Sequence, residues 1–337
     1  MFFSPEKNVS RNGIYLRAGV YTFTRFAVYN IPMPLNELFT TFTNNLLPIL
    51  LISGAGFLLG KTVSVDSRTL GRVVFYVFSP ILVFNLLLHT ELNSSDIFIT
   101  MGYTTAVCLM TGLLALLLGK LLRFDRPVLM AILLTSIFGN TGNYGLPLVS
   151  FAFGKDALAF ATLCYVTVSI LTNTFGVLIA SLGHMDIKTA LMGLFKVPTM
   201  YAVILATLLN RFHLVLPISL ARTVELAANG SIPVMIILLG LELSRFQWSR
   251  NFHAVGLSVA IRLLAGPAIG LLLAIPFGLQ GVARQGSVIE ASMPAAVMNT
   301  VLAAEYGLDT SLVTAIVFVG TILSPLTLTP LLVYLGR

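Results

Sequence analysis

A chain of 337 residues that is 57% hydrophobic and only 10% charged, with a mean hydropathy of +0.93, has too few polar side chains to coat a water-facing surface. Soluble enzyme and receptor architectures are excluded, and the composition is that of a polytopic membrane protein. The net charge of +7 does not point to nucleic acid, because the 20 Lys and Arg are spread thinly at the edges of apolar runs.

Residues 1–35 form an N-terminal tail without the apolar core of a signal peptide. A second methionine, Met33, opens "MPLNELFTTFTNNLLPIL", which leads straight into the first apolar run, so translation of the working protein is expected to start there. A span needs about 20 predominantly apolar residues. Ten stretches qualify: 38–60, 70–89, 97–118, 127–151, 157–180, 189–209, 218–241, 253–279, 285–306 and 311–335. The connections are short and leave no room for a soluble domain. Near the span ends ten Lys and Arg, among them Lys61, Arg68, Arg72, Lys120 and Lys188, fall on one side. Only Lys155, Arg211, Arg222 and Arg284 fall on the other. This bias places the loops after spans 1, 3, 5, 7 and 9 in the cytoplasm and both termini outside, against the basic residues of the tail. Cys108 and Cys164 both lie inside spans, which speaks against a disulfide framework or a thiolate metal site.

At an offset of 153 residues Pro80 meets Pro233, Gly154 meets Gly307 and Asp156 meets Asp309. Hydropathy repeats as well, five spans followed by five. An odd number of spans per unit makes the second copy enter from the opposite face. The expected fold is therefore an all-α polytopic membrane protein with ten transmembrane helices in a 5+5 inverted repeat, the first over 36–183 and the second over 184–337.

Two spans are interrupted. The fourth runs into "FGNTGNYGLPLVSF", where Gly139, Gly142, Gly145 and Pro147 surround Asn140, Thr141 and Asn143. The ninth, "IEASMPAAVMNTVLAAEYG", carries Pro294, Asn299 and Thr300. Glycine weakens a helix, proline removes a backbone donor and clashes one turn back, and asparagine favours turns. Broken helices at matching places in two halves are the best sequence pointer to a carrier binding site, since half-helix N-termini suit a carboxylate.

"NTGNYGLPL" at 140–148 followed by "MPAAVMNTVLAAEYG" at 293–307 resembles the auxin efflux carrier family of secondary transporters. The resemblance runs from about residue 36 onward and implies broken fourth and ninth helices that cross at midplane. It departs from the plant members in having Asn299 where they carry a second proline, and in lacking their long central loop. It looks like a prokaryotic member, similar to malonate and malate permeases. The implied function is transport of small organic anions by alternating access. Substrate would be contacted by Asn140, Thr141 and Asn143, by the backbone near Pro147 and Pro294, and by Asn299 from the second copy. Two rival functions are a sodium-coupled symporter of the bile-acid type and a membrane sensor that moves nothing.

An ionisable residue within a span is a functional candidate by default. Glu290, four residues before Pro294, is a candidate carrier of a coupled proton or sodium ion, or else part of a static pair. Arg262 is its natural partner, unless it pairs with backbone carbonyls or anchors the substrate carboxylate. Glu225 and Glu242 read as interfacial, and Glu305 and Asp309 as flanking a turn, with Asp309 a helix cap. No HExxH spacing and no GxxxxGKS phosphate loop occurs, so neither an enzyme nor a cofactor is expected. The expected partners are a small organic acid, the lipid bilayer of the plasma or inner membrane and, from the family resemblance, a second copy of the chain. Nucleic acid is not among them.

Overall fold

The structure, a computed structural model, describes residues 34–90, 92–181 and 193–337. The tail up to Met33, Lys188 and the start of the expected sixth span lie outside the described residues. Within a bilayer no water satisfies backbone N–H and C=O groups, so a spanning chain must satisfy them internally. The described residues accordingly form helices, with one isolated antiparallel bridge. In chain order these are α1 (Leu35–Thr62), α2 (Ser67–Leu88), α3 (Ser94–Leu121), α4 (Arg126–Ile137), α5 (Thr141–Ala180), α6 (Pro198–Arg211), α7 (Ile218–Leu243), α8 (Phe252–Ala274), α9 (Gly281–Ala291), α10 (Met298–Glu305), α11 (Thr310–Leu323) and α12 (Pro325–Gly336). Six of them, α1, α2, α3, α5, α7 and α8, are long and apolar enough to cross a membrane. The pair α11 and α12 makes one more if read as a single span bent by 49°, the bend falling where Pro325 cannot donate a backbone bond.

Stretches 127–151 and 285–306 are not single helices. The first is divided between α4 and α5, the second between α9 and α10. α5, at 40 residues, would measure about 60 Å if straight, twice the hydrocarbon thickness. It turns at Gly154, which holds φ 75° and ψ −164°. Gly307, its counterpart 153 residues on, takes φ 72°. Only glycine adopts such values without strain.

α1 packs along α7, and α2 lies against α6 and α7. α5 packs on α9 and α3, while α8 contacts α3, α9 and α11. Tyr103, Phe138 and Tyr144 are among the largest fully buried side chains, and they sit around the two interruptions. Large apolar residues such as Leu51, Phe98, Leu117, Leu226 and Leu272 lie on outer faces, where lipid covers them.

Candidate functional site

α4 ends at Ile137, and Phe138 is extended at φ −100° and ψ 103°. Asn140 is also non-helical, and α5 restarts at Thr141 with a wide turn. In the second half α9 ends at Ala291 and α10 restarts at Met298. These two non-helical segments satisfy one another. The Asn140 N–H donates to the Pro294 carbonyl at 2.7 Å, the Ala296 N–H donates to the Phe138 carbonyl at 2.9 Å, and Gly139 faces Ala295 in an antiparallel bridge. The Asn299 amide adds a second bond to the Phe138 carbonyl at 3.0 Å. The buried, interrupted backbone is thus paired within the protein.

Beside this crossing lies a cavity of about 700 Å³, within the range of small-molecule sites. Asn140, Thr141, Gly142 and Asn143 form one wall. Tyr165, Thr172 and Asn173 come from the far end of α5, Arg68, Arg72 and Phe75 from α2, Glu242 from α7 and Glu305 from α10. α5 begins at that wall, so the positive end of its dipole lies at the cavity and favours negative charge there.

The residues expected at the site divide into two sets. Asn140, Thr141 and Asn143 line the cavity. Pro147 is buried one turn further along α5, and Pro294 and Asn299 are buried behind the crossing, none of them on the cavity wall. Sequence reasoning counted Arg68 and Arg72 only as orientation charges, although their spacing of four on one helix already puts them on one face. Tyr165 carries no local signal at all. Glu242, expected at the interface, and Glu305, expected beside a turn, join the cavity lining, and Asp309 caps α11 by accepting from the Leu312 N–H at 3.1 Å.

A second, smaller cavity of about 20 Å³, room for about one water, adjoins the first through Gly139, Thr141 and Val168. Glu290 and Arg262 line it with Thr104, Cys164 and Ser287. Glu290 is 2% exposed, and neither carboxyl oxygen has a hydrogen-bond partner. Its carboxyl lies so close to Gly145 that a Cβ there would overlap it. Arg262 makes no ion pair with Glu290. Of the alternatives left open by the sequence, the structure takes the backbone one: Arg262 donates to the carbonyls of Met293 and Ser136.

Several membrane-crossing helices around a crossing of interrupted segments, with a cavity of small-molecule size against it, define a multi-pass membrane transporter. The chain belongs to the auxin efflux carrier family: the family model described as "Membrane transport protein" matches residues 41–332. It is similar to an uncharacterized transporter of Methanothermobacter thermautotrophicus, 28% identical over 292 residues that cover 84% of this chain and 94% of the relative. An uncharacterized transporter of Methanocaldococcus jannaschii is 27% identical over 266 residues, 77% of this chain and 86% of the relative. A probable auxin efflux carrier component 3b of Oryza sativa is 27% identical over 124 residues, 35% of this chain and 20% of the relative.

Proposed function

We propose that this protein is a secondary carrier of small organic anions, with the substrate carboxylate held in the 700 Å³ cavity. The observation that carries this reading is the wall of that cavity. It combines the start of α5 with Asn140 and Asn143, and two arginines, Arg68 and Arg72 of α2, line the same cavity. Asn140, Thr141 and Asn143 contact the substrate, while Pro147, Pro294 and Asn299 shape the crossing behind them. Phe75 and Tyr165 give an aromatic acid an apolar surface, in keeping with the auxin efflux carriers among the relatives.

The ten-span 5+5 inverted repeat, with units 36–183 and 184–337, belongs to the same proposal. The matched positive φ values of Gly154 and Gly307 and the two paired interruptions support it. α1, α2, α6 and α7 then form a panel against which the crossing bundle rocks. Both termini lie outside, the Arg68 side of the cavity faces the cytoplasm, and the carrier works in the plasma or inner membrane, as a homodimer. Glu290 is the group at which a coupled ion would act. Export needs none, since one negative charge leaving a negative interior gains about 2.3 kcal/mol per 100 mV.

Charge movement in proteoliposomes tests the reading, with malonate, malate and indole-type acids added in turn. A current for one of them that Asn140→Ala abolishes is expected. Binding of an acid with no current for any would favour the sensor instead.

A further inference from the structure

Two half-helices end at the crossing, and one side chain closes both. α4 stops at Ile137 and α9 at Ala291, each leaving its last carbonyls without partners in the helix and its negative dipole end inside the protein. In carriers built from interrupted helices, such ends and the unwound carbonyls beyond them are where a coupled cation is held. Here Arg262 of α8 is already there. Its Nε donates to the Met293 carbonyl at 2.8 Å, Nη2 donates to the same oxygen, and Nη1 donates to the Ser136 carbonyl at 3.3 Å. Ser136 lies in the last turn of α4, and Met293 lies two residues past the end of α9. The arginine is 3% exposed, and Gly139 leaves it room, because a Cβ at Gly139 would overlap the guanidinium.

Charge counting gives the consequence. Arginine is permanently protonated, so the cavity beside the crossing holds a fixed positive charge together with the carboxyl of Glu290. Remove that charge and what remains beside the crossing is a carboxyl with no hydrogen-bond partner, the hydroxyls of Thr104, Thr141 and Ser287, the thiols of Cys108 and Cys164, and the carbonyls of Ser136 and Met293 at the two helix ends. The oxygens among these are the donors that a hard cation prefers. With the guanidinium present, a second cation would meet like charge in a space with room for about one water.

We propose that Arg262 is a cation built into the crossing, occupying with a side chain the place between two half-helix C-termini that a coupling ion would otherwise take, so that this carrier works without sodium. Its flux arm rests on the carrier reading above; its ion-binding arm does not.

The test compares thermal unfolding of the purified full chain in sodium, potassium and choline chloride at equal ionic strength. The wild-type midpoint should be the same in all three. Arg262→Gln keeps the length and a donor but loses the charge. It should gain saturable stabilisation by sodium or by free guanidinium, roughly 3–5 °C at about 100 times the dissociation constant. Arg262→Lys, which keeps the charge, should stay insensitive. Saturable, sodium-selective stabilisation of the wild type overturns the proposal, as does an Arg262→Gln protein indifferent to both cations. The wild-type arm decides the matter should the glutamine variant fail to fold. In proteoliposomes the anion current should be equal in sodium and choline, and a current that needs sodium overturns the proposal too. Absence of current for every acid, with the wild-type midpoint still indifferent to sodium, sinks the anion-carrier reading and leaves the built-in cation standing.

Discussion

The two interruptions match in place but differ in what their polar residues do. In the first half the break is short, 138–140, and its asparagine opens a run, Asn140 to Asn143, that forms the cavity wall. In the second half the break is longer, 292–297, and Asn299 just beyond it is fully buried, with its amide spent on the Phe138 carbonyl. Met293 gives its carbonyl to Arg262, and Pro294 gives its own to Asn140. Ala295 and Ala296 present no polar side chain, which lets the two backbones approach closely enough to pair. The two interruptions thus divide their contacts: the polar residues of the first line the cavity, and those of the second brace the crossing.

The largest expected effect separates those roles. Asn140→Ala should cut initial transport rates by roughly ten- to a hundred-fold, the loss of one hydrogen bond to a charged group, and leave the unfolding midpoint nearly unchanged. Proteoliposome flux and thermal unfolding measured on one preparation check it. A variant that loses flux and stability together would place Asn140 with the brace.

Next come the two turning glycines. Nothing lies within 4 Å of a Cβ built on Gly154 or Gly307, so substitution there meets backbone strain and no clash. Alanine at either should destabilise by about 1–3 kcal/mol. Gly154→Ala, whose φ 75° and ψ −164° fall in a region open essentially to glycine alone, should lower the midpoint at least as much as Gly307→Ala. A larger shift for Gly307→Ala would show that the turn at Gly154 is the more relaxed of the two.

Asn299→Ala should cost less, about 0.5–1.5 kcal/mol, because the Phe138 carbonyl keeps its bond from the Ala296 N–H. Its transport loss should follow from that destabilisation alone, and flux normalised to folded protein should stay near wild type.

The interruptions were legible in the sequence because glycine, proline and asparagine act locally, within one turn of where they stand. At the offset of 153 residues Gly154 and Gly307 both carry positive φ values, which glycine signals locally. The direction each asparagine faces was not legible. Whether Asn299 looks into the cavity or back at Phe138 depends on the separation of two backbones 161 residues apart in the chain, and no local pattern encodes that. Arg262 shows the same limit. Its burial followed from its place in an apolar run, but choosing between Glu290 and the carbonyls of Met293 and Ser136 required the packing of α8 against α9.

The smallest expected effect lies at the starts of α2 and α7 rather than at the breaks. α2 starts behind Asp66, whose carboxylate accepts from the Arg68 N–H at 3.1 Å and the Thr69 hydroxyl at 2.7 Å. α7 starts behind Pro217, which offers no side-chain cap. The Thr69 hydroxyl, more than the Arg68 N–H and the exposed Arg245 guanidinium 3.9 Å away, holds the Asp66 carboxyl below its ordinary range. A carboxyl whose folded value is lowered stabilises the fold above its unfolded value, about 3.9, and loses that contribution as pH falls through the folded value. The midpoint difference between wild type and Asp66→Ala should therefore stay constant from neutral pH down to about 5 and close below about 4. Pro217→Ala, which removes no titrating cap, should show a difference that does not change with pH. Parallel curves for the two variants would mean that Asp66 does not anchor the start of α2, the turn that carries Arg68 and Arg72 to the cavity.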